Sequence, residues 1–554
     1  MRFLAFFLKL LSNLTFLICA AAFLSCAGRP GFLTSSPLPD DRQPIPEPKE
    51  TNIVILSDII DKSISNQIEQ SFDFSRQLRN ISGNKRRAFN ADAFGEVPNS
   101  SWFTNRNGLK RMSTEEIVQG PYSDPAPDTS QIWEIFSVKT EGVTPGFNVT
   151  DERGIRWVIK FESPGSPELN TGAEIIGTLL FHAAGYNVPE NYRVIFSPEK
   201  LRIKKGVELR GEKGRMRQMT QGDLEKLLSR VVVHSNGMIP AIASKFVPGK
   251  PLGPWRYEGM RKDDPNDFIP HQHRRELRGL KVIAAWLNHY DTKANNTLNV
   301  YLENEKYLRH YLIDFGSILG SQGYKPKLEN IGYEESIDLP EITGAFLSLG
   351  FNRHDWETPS DVLYPAIGRL DTNNFHPEKY KFVIPNPAFE LMTYEDAFWG
   401  AKIVTSFTDE QLRVVIEQAN YSDPAAAHYM FETVKLRRDI IGRYWFGKMS
   451  PLDNFELRQN QDGGYELHFE DLAITAGLAR SSESSWRFRI NDSFKNTDGK
   501  MFCKIGDSNF LKKKKTHKVD VQVRRGGALG WIKPTRVFIC KDAEGKPQIL
   551  GLRR

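Results

Sequence analysis

The sequence predicts an α+β protein in several parts: a β-rich lobe with one helix, a helical lobe, and an appended antiparallel β domain. Three observations predict it. Strand-like runs crowd residues 131–161, helical stripes occupy 271–288 and 390–447, and apolar/polar alternation returns after 450. At 554 residues the chain is too long for a single core. Its 40% hydrophobic, 11% aromatic and 26% charged composition excludes a mostly disordered chain, a collagen-like repeat and a polytopic membrane protein. No internal repeat of solenoid or propeller length is visible.

Residues 1–26 carry Arg2 and Lys9 and then run uncharged from Leu10 to Cys26, as a secretory signal does. The end of this run, Phe23-Leu24-Ser25-Cys26-Ala27-Gly28, resembles a bacterial lipobox, with Phe23 where leucine is usual. The resemblance implies an exported lipoprotein anchored to the membrane through lipid on Cys26, at a periplasmic or cell-surface face. Cleavage after Ala22, or retention as an uncleaved anchor, are the alternatives. Residues 27–50 are rich in Pro and polar groups and read as an extended tether. An N-terminal extension fills 51–129, with an amphipathic helix expected around 56–80 and a core-docking loop at Trp102.

A first lobe is expected over 130–250. Ile132–Val138, Gly146–Val149 and Ile155–Phe161 form a meander, and a helix follows with Ser166 as N-cap, Pro167 at its first position and Gly185 just past its end. Tyr192–Phe196 and Ala241–Val247 complete the lobe. A second lobe is expected over 251–449: a helix over 271–288, a hairpin of Leu298–Leu302 with Tyr307–Ile313, and helices begun by Thr408 and by Ser422-Asp423-Pro424. Residues 450–554 hold 20 Lys and Arg against 13 Asp and Glu, a net +7 within a whole-chain charge of +6. The basic excess lies in this last domain. Its Lys512–Lys515 run, with Lys518, Arg524 and Arg525, reads as a solvated loop or a contact for anionic lipid or polyanion, and no specific nucleic-acid motif accompanies it. Cys503 and Cys540 lie on strand-like runs and read either as a disulfide or as two buried thiols on neighbouring strands.

Between the lobes stands a polar cluster, His289-Tyr290-Asp291-Thr292-Lys293-Ala294-Asn295-Asn296, and Asp314-Phe315-Gly316 follows the hairpin. In this order the chain resembles the protein-kinase-like superfamily, whose catalytic loop reads His-x-Asp-x-Lys-x-x-Asn and whose metal loop reads Asp-Phe-Gly. The resemblance covers about residues 130–447 and implies a two-lobed kinase-like fold and an ATP- and Mg²⁺-dependent phosphotransferase. It assigns Asp291 to positioning the attacking hydroxyl, Lys293 to the moving phosphoryl group, and Asn296 and Asp314 to Mg²⁺. Lys160, in Trp157-Val158-Ile159-Lys160, would hold the α- and β-phosphates with Glu174 as its partner, Glu168 being the weaker candidate. The turn around Gly142 and Gly146 would cover the phosphates, and Lys245-Phe246-Val247 would border adenine. Tyr290 replaces the Arg of His-Arg-Asp, and no Ala-Pro-Glu follows, which makes the chain more similar to atypical branches such as HipA-like and secreted kinases. The acceptor stays open, as do an adenylyltransferase and a non-catalytic binding protein on the same fold. His289 reads as a packed histidine supporting its loop, and His271 and His273 as a surface pair at a helix start rather than a metal site.

Overall fold

The computed structural model describes residues 38–554 apart from 66–72, 75–77, 80–84, 124–125, 140–145, 211–214, 491–492, 507–515 and 529. Between 339 and 360 it describes only Ile342, Gly344, Phe346, Ser348 and Trp356. The signal, Cys26, Gly142 and Lys512–Lys515 therefore lie outside the described residues. Among the described residues no helix is long and apolar enough to cross a membrane.

The meander forms as alternation dictates. Strands β1 (Trp133–Val138), β2 (Gly146–Thr150) and β3 (Arg156–Phe161) pair antiparallel in sequence order. Strands β4 (Asn191–Phe196) and β5 (Leu201–Ile203), a small ribbon of β6 (Glu208–Arg210) with β7 (Met216–Gln218), and β8 (Ile239–Lys245) follow. One six-stranded sheet results, in the order β4-β8-β3-β2-β1-β5. Trp133, Phe147, Trp157, Ile159, Phe161 and Phe196 bury its core. The helix packed beside it, α1 (Leu169–Ala184), starts later than the Ser166-Pro167 signal suggests. Glu168, at φ 66°, is its N-cap, and Ser166 is instead buried in a turn whose N–H donates to the Ser163 carbonyl.

Helix α2 (Arg275–Trp286) follows, with Leu277, Leu280, Ile283 and Ala284 all buried. Strand β9 (Lys250–Pro251) and the hairpin β10 (Thr297–Leu302) with β11 (Tyr307–Leu312) form a three-stranded sheet. Helices α3 (Tyr394–Ser406), α4 (Asp409–Glu417) and α5 (Pro424–Lys448) come next. Thr393 and Thr408 make capping boxes with Asp396 and Gln411, and Asp423 caps the Pro424 start.

Two N-terminal expectations need correction. The 27–50 tether is docked over its described part: Asp41 is buried and accepts from the Ser101 N–H and hydroxyl, and Ile45 packs on Leu252, Tyr301 and Leu308. The proline-rich text gives extended backbone, but that backbone finds partners, with the Ile45 N–H donating to the Lys306 carbonyl. The expected 56–80 helix runs as an α-turn over Ile55–Ile60 and a π-turn over Asp61–Ser65, and most of its remainder lies outside the described residues. The Trp102 loop does dock. Trp102 stacks on His310, edges against Trp255 and lies under Arg274, and truncating so buried a ring costs ~3–5 kcal/mol.

After α5 the chain forms two further sheets that share one apolar core. One joins β12 (Leu452–Gln459), β13 (Tyr465–Asp471) and, after β14 (Ser484–Arg489) and β15 (Lys495–Asn496) have left for the second sheet, β16 (Phe502–Gly506). The second has the order β15-β14-β17-β18-β19, with β17 at His517–Arg525, β18 at Thr535–Lys541 and β19 at Pro547–Arg553. Trp486, Val519, Val521, Val523, Val537 and Ile539 face Leu467, Phe469 and Cys503 across the core. Cys503 and Cys540 are both free thiols. They sit on β16 and β18, in different sheets rather than on neighbouring strands, and only Cys503 is fully buried. Burial pushes the Cys503 thiol up to about 12, away from the reactive thiolate. The last residues reach back to earlier segments: the Leu552 N–H donates to the Ala93 carbonyl, and Arg554 pairs with Asp453 on β12 while lying over Phe398 of α3.

Candidate active site

Register places the site. In β2–β3 pairing Gly146 opposes Lys160, and a side chain at 146 would strike the Ile159 carbonyl, 2.2 Å from its Cβ. Gly146 thus serves the close approach of these two strands, immediately beside the lysine. In β10–β11 pairing Thr297 opposes Leu312, and the Ile313 N–H donates to the Asn296 carbonyl, so the hairpin brings Asn296 and Asp314 to the same end. That proximity is a consequence of antiparallel register.

Lys160 Nζ lies 2.5 Å from Glu174 Oε1 and 2.9 Å from Asp314 Oδ1. Burial opposes its charge, but Asp314 and Glu174 outweigh it and hold the ammonium above the ordinary lysine range. Glu174 is completely buried on α1, and burial pushes its carboxyl up against the pull of Lys160. Its second oxygen accepts from the Phe315 N–H at 3.1 Å and from Asn191 Nδ2 at 3.1 Å. Helix, strand and the Phe315 backbone are thereby tied at one carboxylate. Glu168, the weaker candidate, faces elsewhere: it accepts from Ser422 and approaches Arg193.

Asp314 takes φ 66° and ψ 70°, a left-handed conformation that costs a non-glycine residue ~1–3 kcal/mol and is characteristic of sites where strain is held by surrounding packing. The packing here is Phe315, fully buried and stacked on Phe181 with ring centroids 4.9 Å apart. Gly316 follows because a Cβ there would lie 2.4 Å from Asn170 Oδ1. The Asp314 side chain stays 39% exposed. Desolvation raises its carboxyl, yet Lys160 and Lys139 prevail and hold it well below the usual carboxylate range.

Asp291 forms the second half. Its Oδ2 accepts from Lys293 Nζ at 2.9 Å and from Asn296 Nδ2 at 3.0 Å, and Asn296 Nδ2 also reaches the Asp291 carbonyl at 2.7 Å. Because the amide nitrogen faces two acceptors, the Asn296 oxygen is directed away from them. Burial pushes the Asp291 carboxyl up, with Lys293 and Asn296 opposing. His289 is buried edge-on against Phe181 and Phe315, and burial takes it down to about 3, so it stays neutral. It supports the loop as a packed residue.

The sequence-predicted residues Lys160, Glu174, Asp291, Lys293, Asn296 and Asp314 thus form two hydrogen-bonded groups at one hairpin end. The backbone carbonyl of Asn296, bonded to Ile313, links them. The donor set suits Mg²⁺: one carboxylate and one amide oxygen are hard ligands, leaving positions for phosphate oxygens and water. Among the described residues no cluster of three His, Cys, Asp or Glu side chains stands ready to hold a metal unaided.

Two contributors escaped sequence reasoning. Asn191 bridges Glu174 and Thr178 from β4, and its only signal was a polar residue opening an apolar strand. Lys139, at the end of β1, donates its N–H to the Gly146 carbonyl and lends its charge to Asp314. His271 and His273, expected on the surface, are buried. His271 bonds Asp267 and His273 accepts from Arg278, so they stitch the start of α2.

No protein-family model matches the chain, and no curated protein does. Among solved structures it is similar to a Helicobacter pylori proinflammatory kinase, CtkA, at 9% identity and TM-score 0.28, over 57% of this chain and 98% of that one. It is also similar to a Golgi casein kinase with Mn/ADP bound, at 10% identity and TM-score 0.30, over 57% of this chain and 73% of that one. Another Golgi casein kinase structure shows 11% identity and TM-score 0.29 over 76% and 94%.

Proposed function

We propose that the chain is an exported, membrane-anchored phosphotransferase that uses ATP and Mg²⁺ at a kinase-like active site. The observation that carries this reading is Lys160 fixed between buried Glu174 and the partly exposed Asp314, with Asp291 and Asn296 bonded at the same hairpin end. Bound MgATP would supply the phosphoryl group and the cationic charge that neutralises its oxygens.

The chain's own residues divide the remaining work. Glu174 holds Lys160 extended, so the ammonium meets the α- and β-phosphates without searching rotamers. Asp314 and the Asn296 amide oxygen would hold the metal. Asp291, its Oδ2 engaged by Lys293 and Asn296, offers Oδ1 to an acceptor hydroxyl, orienting it and taking its proton. A carboxyl raised above the ordinary aspartate range is a better base than an unperturbed one. Lys293, 24% exposed, can turn from Asp291 toward the transferred group. Export and the lipid anchor rest on residues 1–26 alone.

The test is incubation of full-length protein with γ-labelled and α-labelled ATP, Mg²⁺ and candidate acceptors, alongside Asp314→Asn. Transfer of γ-label that Asp314→Asn abolishes is the expected result. Transfer of α-label would replace the proposal with adenylyl transfer. Absence of transfer together with absence of a MgATP-dependent thermal shift would leave a non-catalytic binding protein.

A further inference from the structure

The outer sheet of the last domain, β15-β14-β17-β18-β19, has one face sealed in the core by Trp486, Val519, Val521 and Val523. Alternation turns the intervening residues outward, and they include Arg487 and Arg489 on β14 and Arg524 on β17, beside Asp520 and Gln522. The register sets Ser485 opposite Arg524 and Arg487 opposite Gln522, so Arg487 and Arg524 are diagonal neighbours on this face. Two aromatic rings lie among them. Arg489 lies 4.6 Å and Arg487 4.3 Å from the Phe494 ring centre, while Arg487 lies 4.2 Å and Arg524 5.1 Å from that of Trp531. The order is a ladder: Arg489, Phe494, Arg487, Trp531, Arg524.

A guanidinium stacked on a ring spends its flat face there and keeps its N–H donors in its plane, aimed sideways. The ladder leaves those donors short of acceptors. Arg487 donates Nε to Gln522, and its two terminal nitrogens have no partner among the described residues. Arg524 is exposed and makes neither a hydrogen bond nor an ion pair among them. The nearby carboxylate, Asp520, is already bound by Arg489 and Arg536, each at 2.6 Å. Burial, with the charges of Arg524 and Arg489 adding to it, draws Arg487 below the usual arginine range. Fixed forks without anions constitute a preorganised oxyanion receptor.

We propose that this face binds a linear acidic polysaccharide, whose sulfate or carboxylate groups bridge the terminal nitrogens of Arg487 and Arg524. The choice of partner follows from the rings. Each ring already packs against two guanidinium groups, which compete with a base for its surface, the contact that dominates single-stranded nucleic-acid binding. Neither ring stands free to enter hydrocarbon, and Arg524, Lys518 and Lys533 around them are exposed and charged. What the surface offers is two cations ~6.6 Å apart along β14, Arg487 and Arg489, with Arg524 diagonal to Arg487 at about 7–8 Å on β17, spacings suited to a chain with repeated charge. The inference is independent of the phosphotransferase reading.

The test uses the full chain with heparin as the probe, binding being measured across a salt series. The expected result is that Arg487→Gln/Arg524→Gln lowers the slope of log K against log salt by about 2, one for each lost contact. Arg458→Gln, on the other sheet beside Glu456, should leave the slope unchanged. Arg487→Lys/Arg524→Lys keeps the charge and removes the fork, and should also weaken binding. Because this pair keeps the cations over the rings, it reports even if the Gln pair disturbs folding. Equal losses in Arg458→Gln, full heparin binding by the Lys pair, or no binding by the parent would each overturn the proposal. Tighter binding of oligo-dT than of heparin, lost in the same Arg variants, would overturn it in favour of nucleic acid.

Discussion

Replacing Asp291 with Asn changes one atom and removes one capacity. The amide oxygen can still accept from Lys293 and Asn296, whose donors now converge on Asp291 Oδ2 at 2.9 and 3.0 Å, so the loop keeps its shape. What disappears is the basic oxygen that would take the acceptor's proton. Losing a positioned acid/base group slows turnover by ~10²–10⁴-fold, equivalent to ~3–5 kcal/mol of barrier. Burial already disfavours the ionised carboxyl in the folded protein, so a neutral amide should leave the melting temperature of the apoprotein undiminished. MgATP binding should persist, because Lys160, Asn296 and Asp314 are untouched. Steady-state assays with γ-labelled ATP, run beside thermal shifts, separate the two effects: kcat falls, KM for ATP holds, and the rise of kcat with pH due to Asp291 ionisation vanishes. A fall in kcat of less than about tenfold, or loss of nucleotide binding in step with kcat, would refute the role given to Asp291.

Four further outcomes follow from named contacts. Asp314→Asn should abolish the thermal shift produced by MgATP while leaving the fold intact, since it removes the carboxylate the metal requires. Glu174→Gln should destabilise the apoprotein toward the low end of the ~3–5 kcal/mol typical of a broken buried pair, because Lys160 keeps Asp314; denaturant titration reads it. Arg554→Ala should destabilise by a similar lower-end amount, since Asp453 retains Lys402 at 2.8 Å, and differential scanning should show the loss on the transition that includes the helical lobe. For His289 the folded value near 3 lies below the ordinary 6.5, so the unfolded chain binds the proton first and stability falls as pH drops through that interval. At about pH 5 this amounts to ~2 kcal/mol, and His289→Asn should remove that component from unfolding curves measured at neutral and acid pH.

Much of the site was legible because its members are close in the sequence or locked to it by local rules. The Asp291, Lys293 and Asn296 trio lies within one loop, and a hairpin of known period returns the chain to Asp314, so antiparallel pairing alone brings Asn296 and Asp314 together. The helix stripe of α2, the capping boxes of α3 and α4 and the Pro424 start were likewise local, set by backbone groups that need partners within a turn.

What tertiary structure alone decided are the contacts between distant segments. Glu174 rather than Glu168 meets Lys160 because α1 starts at Leu169 and the later turn of the helix faces β3, a choice of helix phase and position that the Ser166-Pro167 signal misplaced. Asn191 and Lys139 join the site through sheet packing and charge at a distance, neither of which leaves a sequence spacing. The same holds for the docked Asp41–Ile45 strand, the buried His271 and His273, and the separation of Cys503 from Cys540. Composition and periodicity fix which groups seek burial or partners; which partner each finds depends on the register of whole sheets and the seating of whole helices. Those are set by the sum of many side chains in the core, and no single stretch of sequence carries that sum.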